Sequence, residues 1–232
     1  MKVPSHISVI SFDLDDTLWD FQKMMRTSLE IVLTRLKSII PESATSLSVE
    51  EMIRIRDDIE MRPESTGLSL LEIRQKGFEE SLEFIGHSDQ SLAKTLFDLY
   101  IAHRFDGFEL YDDVLPVLHR LEGRYRLGVI TNGNSHAERG DLQGRFAFTV
   151  RAATYNILKP HPEIFQIAAR QAGCKTEEML HVGDSLQFDV AGAQSAGICS
   201  VWLNRDGNIN DTDVIPGYEI HTLSELVEGL AV

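Results

Sequence analysis

The run Ile7-Ser8-Val9-Ile10-Ser11-Phe12 leads into Asp13-Leu14-Asp15-Asp16-Thr17. The first stretch is apolar and rich in β-branched residues, which predicts a buried strand over 7–12. The second breaks the pattern with carboxylates and a hydroxyl, which predicts a polar loop at the strand's carboxyl end. The same grammar recurs further along. Leu127–Ile130 reads as a strand closed by Thr131-Asn132-Gly133-Asn134, and Met179–Val182 as a strand ending at Gly183-Asp184. Phe146–Val150 and Ile198–Leu203 read as two more strands. Between them lie helical stretches. One is capped by Asp112-Asp113 and ends near Gly123. Another is opened by Lys159-Pro160-His161-Pro162 and stopped by Gly173, with Pro at the start and Gly just past the end. A small-residue stretch over Ala191–Gly197 and a closing segment over Thr222–Leu230 complete the set. Strands that alternate with helices make an α/β fold, a parallel sheet covered on both faces.

From Phe21 to Ile40 the period becomes helical. Met24, Met25, Ser28, Leu29, Val32, Leu33 and Leu36 share one face, and Pro41 ends the run. A second helix is predicted from Ser48, with Glu51 completing a capping box, to about Met61. Two more cover about Leu68–Ile85 and Gln90–Arg104. No strand signal interrupts this block. The first strand belongs with the later ones, so residues 18–105 form an all-helical insertion, and 1–17 with 106–232 form the sheet domain.

Composition narrows the partners. The chain has 232 residues, 43% of them hydrophobic, which is too much apolar matter for disorder. Lys and Arg number 22 against 36 Asp and Glu, a net charge of −14. Such a chain is repelled by nucleic acid and by anionic membranes, so neither is expected as the main partner. No apolar run reaches the roughly 18–20 residues that span a bilayer. The apolar run near the N-terminus is too short for a signal peptide, and Cys174 and Cys199 form no disulfide framework or zinc spacing. A soluble, cytoplasmic protein is expected.

In an open parallel sheet, ligands bind beyond the carboxyl ends of the strands. Asp13, Asp15 and Thr17 fall there after the first strand, Thr131 after a later one, Lys159 before a helix, and Asp184 and Asp189 after another strand. Each taken alone is ordinary: a lone Asp is a turn or cap residue, and a lone Lys is a solvated one. Together they place four carboxylates on one rim, where like charges raise carboxylate pKa values. A hard divalent cation relieves that repulsion. Mg²⁺ takes oxygen ligands and uses few carboxylates together with phosphate oxygens. With Lys159, a hydroxyl and backbone N–H groups, the rim suits a phosphate group.

Phe12-Asp13-Leu14-Asp15-Asp16-Thr17-Leu18, Val129-Ile130-Thr131-Asn132-Gly133, Lys159-Pro160 and Val182-Gly183-Asp184-Ser185-Leu186-Gln187-Phe188-Asp189 resemble, in order and spacing, the four motifs of the haloacid-dehalogenase-like hydrolase superfamily. The resemblance implies a Rossmann-like parallel sheet with a helical cap inserted after strand one, and a Mg²⁺-dependent phosphoaspartyl mechanism. It implies Asp13 as nucleophile and Asp15 as general acid/base. Thr131, aided by the backbone of Asn132, would hold phosphoryl oxygens, and Lys159 would neutralise nucleophile and phosphate. The Asp13 carboxylate, the Asp15 main-chain carbonyl and Asp184 would bind Mg²⁺. Asp189 would orient Lys159 or a metal-bound water. Ser185 would sit behind the metal site or simply cap a helix. Haloalkanoate dehalogenases of the superfamily lack an Asp two residues after the nucleophile, so Asp15 favours phosphate esters.

The substrate expected is a small phosphate ester. Val129–Asn134, Leu158-Lys159-Pro160, Leu180-His181-Val182-Gly183-Asp184 and Val201-Trp202-Leu203-Asn204-Arg205 are similar to bacterial flavin-pathway phosphatases, which act on flavin mononucleotide or the ribitylaminouracil phosphate precursor. A nucleotide or sugar-phosphate phosphatase would carry the same core, and a non-catalytic phosphate-binding or regulatory protein is the alternative from another class. Cap residues that could read the substrate are Arg54, Arg56, Arg62, Arg74, Lys76, His103 and Arg104. Trp19 and Phe21 are candidates to stack on a ring, and His136 follows the phosphate loop without an assigned role. The oligomeric state is not legible.

Overall fold

The computed structural model of the chain describes residues 4–65, 67–104, 109–133 and 140–230. It divides into two compact units, 1–20 with 109–232, and 21–108.

In the first unit, six strands among the described residues form one sheet: β1 (Val9–Phe12), β2 (Arg126–Thr131), β3 (Phe148–Arg151), β4 (Met179–Gly183), β5 (Cys199–Leu203) and β6 (Tyr218–Ile220). Their order is β3-β2-β1-β4-β5-β6, with every neighbouring pair parallel. All residues of β1 and β4 are buried, as expected of strands covered on both faces. The chain order reverses between β1 and β4. Parallel sheets open a crevice for ligands at such a reversal. Val9 pairs with Met179 and Phe12 with Val182, so Asp13 and Asp184 leave the sheet at neighbouring points.

The helices of the second unit are α1 (Phe21–Ile39), α2 (Val49–Glu60), α3 (Leu70–Phe84) and α4 (Gln90–His103). All seven residues expected on the inner face of α1 are buried. Met25, Leu29, Val32, Leu33 and Leu36 among them meet Met52, Phe78, Leu82, Leu96 and Tyr100 in one apolar cluster. Ser48 caps α2 by accepting the Glu51 N–H at 3.1 Å, but the Glu51 carboxylate turns to Arg54, so only half of the expected capping box forms. A full box stands instead at Ser69 and Glu72, at the start of α3.

The remaining helices belong to the sheet unit: α5 (Val114–Leu121), α6 (Ala152–Tyr155), α7 (Pro162–Ala172), α8 (Gly192–Ser195) and α9 (Leu223–Gly229). Pro162 opens α7 and Gly173 ends it in the left-handed region at φ 66°, where a side chain would be strained. Ile164, Phe165, Ala168 and Ala172 of α7 pack with Val9, Ile130, Val150 and Met179 of the sheet.

Four details differ from the sequence reading. Asp113 does not cap α5; its carboxylate accepts the Arg205 guanidinium at 3.0 and 3.1 Å and the Leu223 N–H at 2.7 Å. The expected helix over 191–197 begins earlier, as a π-helical turn over Leu186–Ala191 capped by Ser185, and runs into α8. The edge strand β6 was not anticipated. The sheet unit also keeps residues 18–20, because Trp19 bridges to Asp15 and Leu110. The expected boundary at 105/106 lies outside the described residues, as do Asn134 and His136. No described helix is long and apolar enough to cross a membrane.

Candidate active site

The site starts from two strand ends. The Asp13 N–H donates to the Val182 carbonyl at 2.9 Å, extending the β1–β4 ladder by one step and fixing the first carboxylate beside the loop of the other strand. Lys159, 3% exposed, donates from Nζ to Asp13 Oδ1 at 2.5 Å and to Asp189 Oδ1 at 2.6 Å. Burial alone would lower the lysine pKa. The two carboxylates more than offset it and hold the ammonium above the ordinary lysine range.

Asp189 is fixed from three sides. Besides Lys159, its Oδ1 meets His181 Nε2 at 3.1 Å, and its Oδ2 accepts the Ser185 N–H at 3.0 Å. Burial would raise its pKa, but Lys159 and then His181 pull the carboxyl well below the usual carboxylate range. His181 is itself buried, which lowers its pKa and keeps the ring neutral. A neutral ring facing a carboxylate donates from Nε2. Its Nδ1 lies 2.9 Å from the Ser11 hydroxyl, which also donates to the Leu180 carbonyl at 3.3 Å. Ser185 does two things here: its backbone holds Asp189, and its hydroxyl caps the π-helical turn by accepting the Phe188 N–H at 3.1 Å.

Asp184 accepts the Thr17 hydroxyl at 3.1 Å through Oδ1, and its carbonyl accepts the Trp202 indole N–H at 2.8 Å. Burial, then the negative charges of Asp189 and Asp16, push its carboxyl up to about 7. Asp13 is likewise raised well above its ordinary value. Burial is the main cause; Lys159 pulls the other way, and Asp189, Asp184 and Asp15 add to the rise. Oxygens of Asp13, Asp184 and Asp189 lie within 4.8 Å of one another. This donor set is all oxygen, anionic and short of positive charge, which fits a hard divalent cation such as Mg²⁺. Asp189 already has both oxygens engaged by Lys159, His181 and Ser185, which leaves Asp13 and Asp184 as the better-placed carboxylate donors.

The second half of the site is the loop after β2. Thr131 is buried, and its hydroxyl accepts the Gly133 N–H at 3.0 Å. The Asn132 side chain clasps the backbone of Lys159, donating to its carbonyl at 3.0 Å and accepting its N–H at 2.7 Å. Asp15 faces this loop: a Cβ on Gly133 would stand 2.6 Å from Asp15 Oδ2, so a side chain there would displace the carboxyl. The other oxygen, Oδ1, accepts the Trp19 indole N–H at 2.9 Å.

Trp19 is 2% exposed and turned onto Asp15, so it does not offer a face for ring stacking. Phe21 has the Arg104 guanidinium 5.1 Å over its ring. Of the basic residues singled out in the helical unit, Arg54 pairs with Glu51 and Asp58, Arg56 with Asp57, and Arg62 with Glu80. These are partly exposed ion pairs of that unit. His181 is the contributor the sequence reading passed over, and Trp19 serves as a hydrogen-bond donor where a stacking face was expected. The signal for His181 was present: a lone imidazole in the middle of an otherwise apolar strand.

The family model of haloacid dehalogenase-like hydrolases matches residues 7–197. Over 95% of the chain and 94% of the relative, the sequence is 27% identical to the 5-amino-6-(5-phospho-D-ribitylamino)uracil phosphatase YigB of Escherichia coli. Further relatives along the whole chain are named as phosphatases. A 2-haloacid dehalogenase of Pseudomonas syringae is 34% identical, with a TM-score of 0.75 over 97% of this chain and 98% of that one. The putative hydrolase YfnB of Bacillus subtilis, solved with magnesium, is 25% identical with a TM-score of 0.81 over 97% and 99%. With four motifs meeting at the sheet's reversal and a family model spanning them, the chain belongs to the haloacid dehalogenase-like hydrolases, as an enzyme of the phosphatase kind.

Proposed function

We propose that the chain hydrolyses a small phosphomonoester, using Mg²⁺ and a phosphoryl group held covalently on Asp13. The observation that carries this reading is the position of Asp15, whose Oδ2 lies against Gly133 in the loop after β2. Asp13 attacks phosphorus through a carboxylate oxygen, and the bond to the leaving oxygen breaks. Asp15 gives that oxygen its proton and then takes one from the water that cleaves the aspartyl-phosphate. Thr131 and the backbone at Asn132 hold phosphoryl oxygens. Lys159 neutralises Asp13 and the phosphate, with Asp189 and His181 holding it in line. Asp13, Asp184 and the Asp15 main-chain carbonyl would hold Mg²⁺, which would offset the repulsion between carboxylate and phosphate.

Halide release is the second reading, favoured by the 34% identity to a dehalogenase. A departing halide needs no proton, and Asp15 would then have no task. For the substrate, a phosphate on a ribityl or ribosyl chain bearing a ring is put first, supported by the core stretches and the YigB relationship. A panel containing flavin mononucleotide, ribitylaminouracil phosphate, nucleotides, sugar phosphates and 2-chloropropionate, compared by kcat/KM, tests both points. Sugar phosphates or nucleotides ahead of both flavin-pathway esters by about tenfold would remove the flavin reading. Chloride release without phosphate release would remove the phosphatase reading.

Metal binding has a thermal signature with a definite sign. Without metal, the folded chain keeps the Asp184 proton up to about pH 7, while the unfolded chain releases it near 3.8. This group therefore weakens the fold as pH rises from about 4 to 7, and Asp13 acts in the same direction. Asp189 opposes them, contributing stability above its ordinary value that is lost in acid. A cation that binds the deprotonated pair restores what the repulsion removes. Mg²⁺ is expected to raise Tm more at pH 7.5 than at pH 5.5, read from melts with Mg²⁺ and with EDTA. Equal shifts at both values would count against Asp13 and Asp184 as ligands.

A further inference from the structure

We infer that Arg205 is a positioning residue for the divalent-cation site and acts on Asp184 at one remove, through Thr17. This rests on the reading of Asp13 and Asp184 as cation ligands and adds a residue to it. Three hydrogen bonds and a short piece of chain close a ring around Asp184. From the end of β5, the Trp202 indole N–H donates to the Asp184 carbonyl at 2.8 Å. Just past that strand, Arg205 Nη2 donates to the Thr17 carbonyl at 2.9 Å. Thr17 is fully buried, and its hydroxyl donates to Asp184 Oδ1 at 3.1 Å. The end of β5 thus holds the backbone of Asp184 through Trp202 and its carboxylate through Arg205 and Thr17. The ring engages Oδ1, and no described residue donates to Oδ2.

Arg205 is well fixed for this task. Its Nη1 and Nη2 meet the two oxygens of Asp113 at 3.1 and 3.0 Å, and its guanidinium lies 3.9 Å over the Tyr111 ring. Asp113 is anchored in turn by the Leu223 N–H at the start of α9. Tyr111 is tied to the residue after Thr17, its N–H donating to the Leu18 carbonyl at 3.1 Å. A planar fork with several N–H groups at fixed angles can serve Asp113 and Thr17 together. A lysine, with one nitrogen on a flexible stem, cannot reproduce both. A group that orients a metal ligand from behind is worth about 10–100-fold in metal affinity. With the ring intact, a cation meets a carboxyl already set. With the ring cut, binding must also order the loop that carries Thr17.

The test reads cation binding directly and without substrate: Mn²⁺ affinity from the signal of the free ion in electron paramagnetic resonance, and Mg²⁺ affinity by competition. Arg205→Lys is expected to weaken both by roughly tenfold. Thr17→Val, which removes the hydroxyl and keeps the shape, should weaken them by a similar factor. Adding Arg205→Lys to Thr17→Val should then change little more, because both act through the one bond to Asp184. The Mg²⁺ concentration that half-saturates hydrolysis of p-nitrophenyl phosphate should rise by the same factor as Kd. Melts in EDTA report the fold separately. If Arg205→Lys does not fold, the double change Arg205→Met with Asp113→Asn decides. It leaves no buried charge unpaired, and the asparagine can still accept the Leu223 N–H. A fall in metal-free Tm with unchanged cation affinity would make Arg205 a support of the fold alone and overturn the inference. A full additional loss in the Thr17→Val background would do the same. A wild type that binds neither ion would remove Asp13 and Asp184 as ligands, and this assignment with them.

Discussion

Asp13→Asn is expected to lower hydrolysis of any phosphate ester by about 10³-fold or more, the scale of loss on removing a nucleophile. The amide keeps the shape of the carboxylate but has no anionic oxygen to attack phosphorus. Stability should move the other way. Asp13 is buried and its carboxyl is held well above the ordinary range, so its charge is a liability to the metal-free fold. The substitution removes a repulsive partner of Asp184 and Asp189 and leaves Lys159 paired with Asp189 at 2.6 Å. Metal-free Tm is therefore expected to hold or rise while turnover disappears. Near-native turnover in this variant would take the attack away from Asp13. A collapse of Tm would mean that the Lys159 contact outweighs the burial of charge.

Asp15→Asn separates the acid from the nucleophile. Acid–base catalysis is typically worth about 10²–10⁴-fold, and only where the leaving group needs a proton. The variant should lose most of that on an alkyl phosphate and far less on p-nitrophenyl phosphate, since nitrophenolate departs unaided. The asparagine can still accept the Trp19 N–H, so the loss is not a loss of packing. Matching losses on the two esters would leave Asp15 a structural residue and reopen the reading in which no proton is needed.

Much of this was legible along the chain because strand ends and carboxylates coincide. The apolar runs before Asp13, Thr131 and Asp184 are buried strands, and pairing Val9 with Met179 brings Asp13 and Asp184 out side by side. Other features carried no linear signal. The edge strand β6 has three residues and only Ile220 is buried, too short for an alternation to show. The helix after Asp184 was read from its small residues, whereas Ser185 caps it six residues earlier. Asp113 looked like a cap because a carboxylate ahead of an apolar run usually is one; Arg205, 92 residues away, claims it instead. Trp19 was read from the type of its ring. Its direction, which makes it a donor to Asp15 and not a stacking face, is a property of the fold alone.

Gly183 closes β4 with no functional group to offer, yet it is bound up with the chemistry. A methyl there would lie 2.2 Å from the Asp189 carboxyl carbon, a distance no two such atoms tolerate. The position therefore has a size allowance of one hydrogen. Any larger residue would push Asp189 off Lys159 and leave the ammonium answering to Asp13 alone. In a loss-of-function screen such a change would look like the deletion of a charged group, although every charge remained in the chain. The carboxylate at 189 keeps its place only while position 183 stays blank.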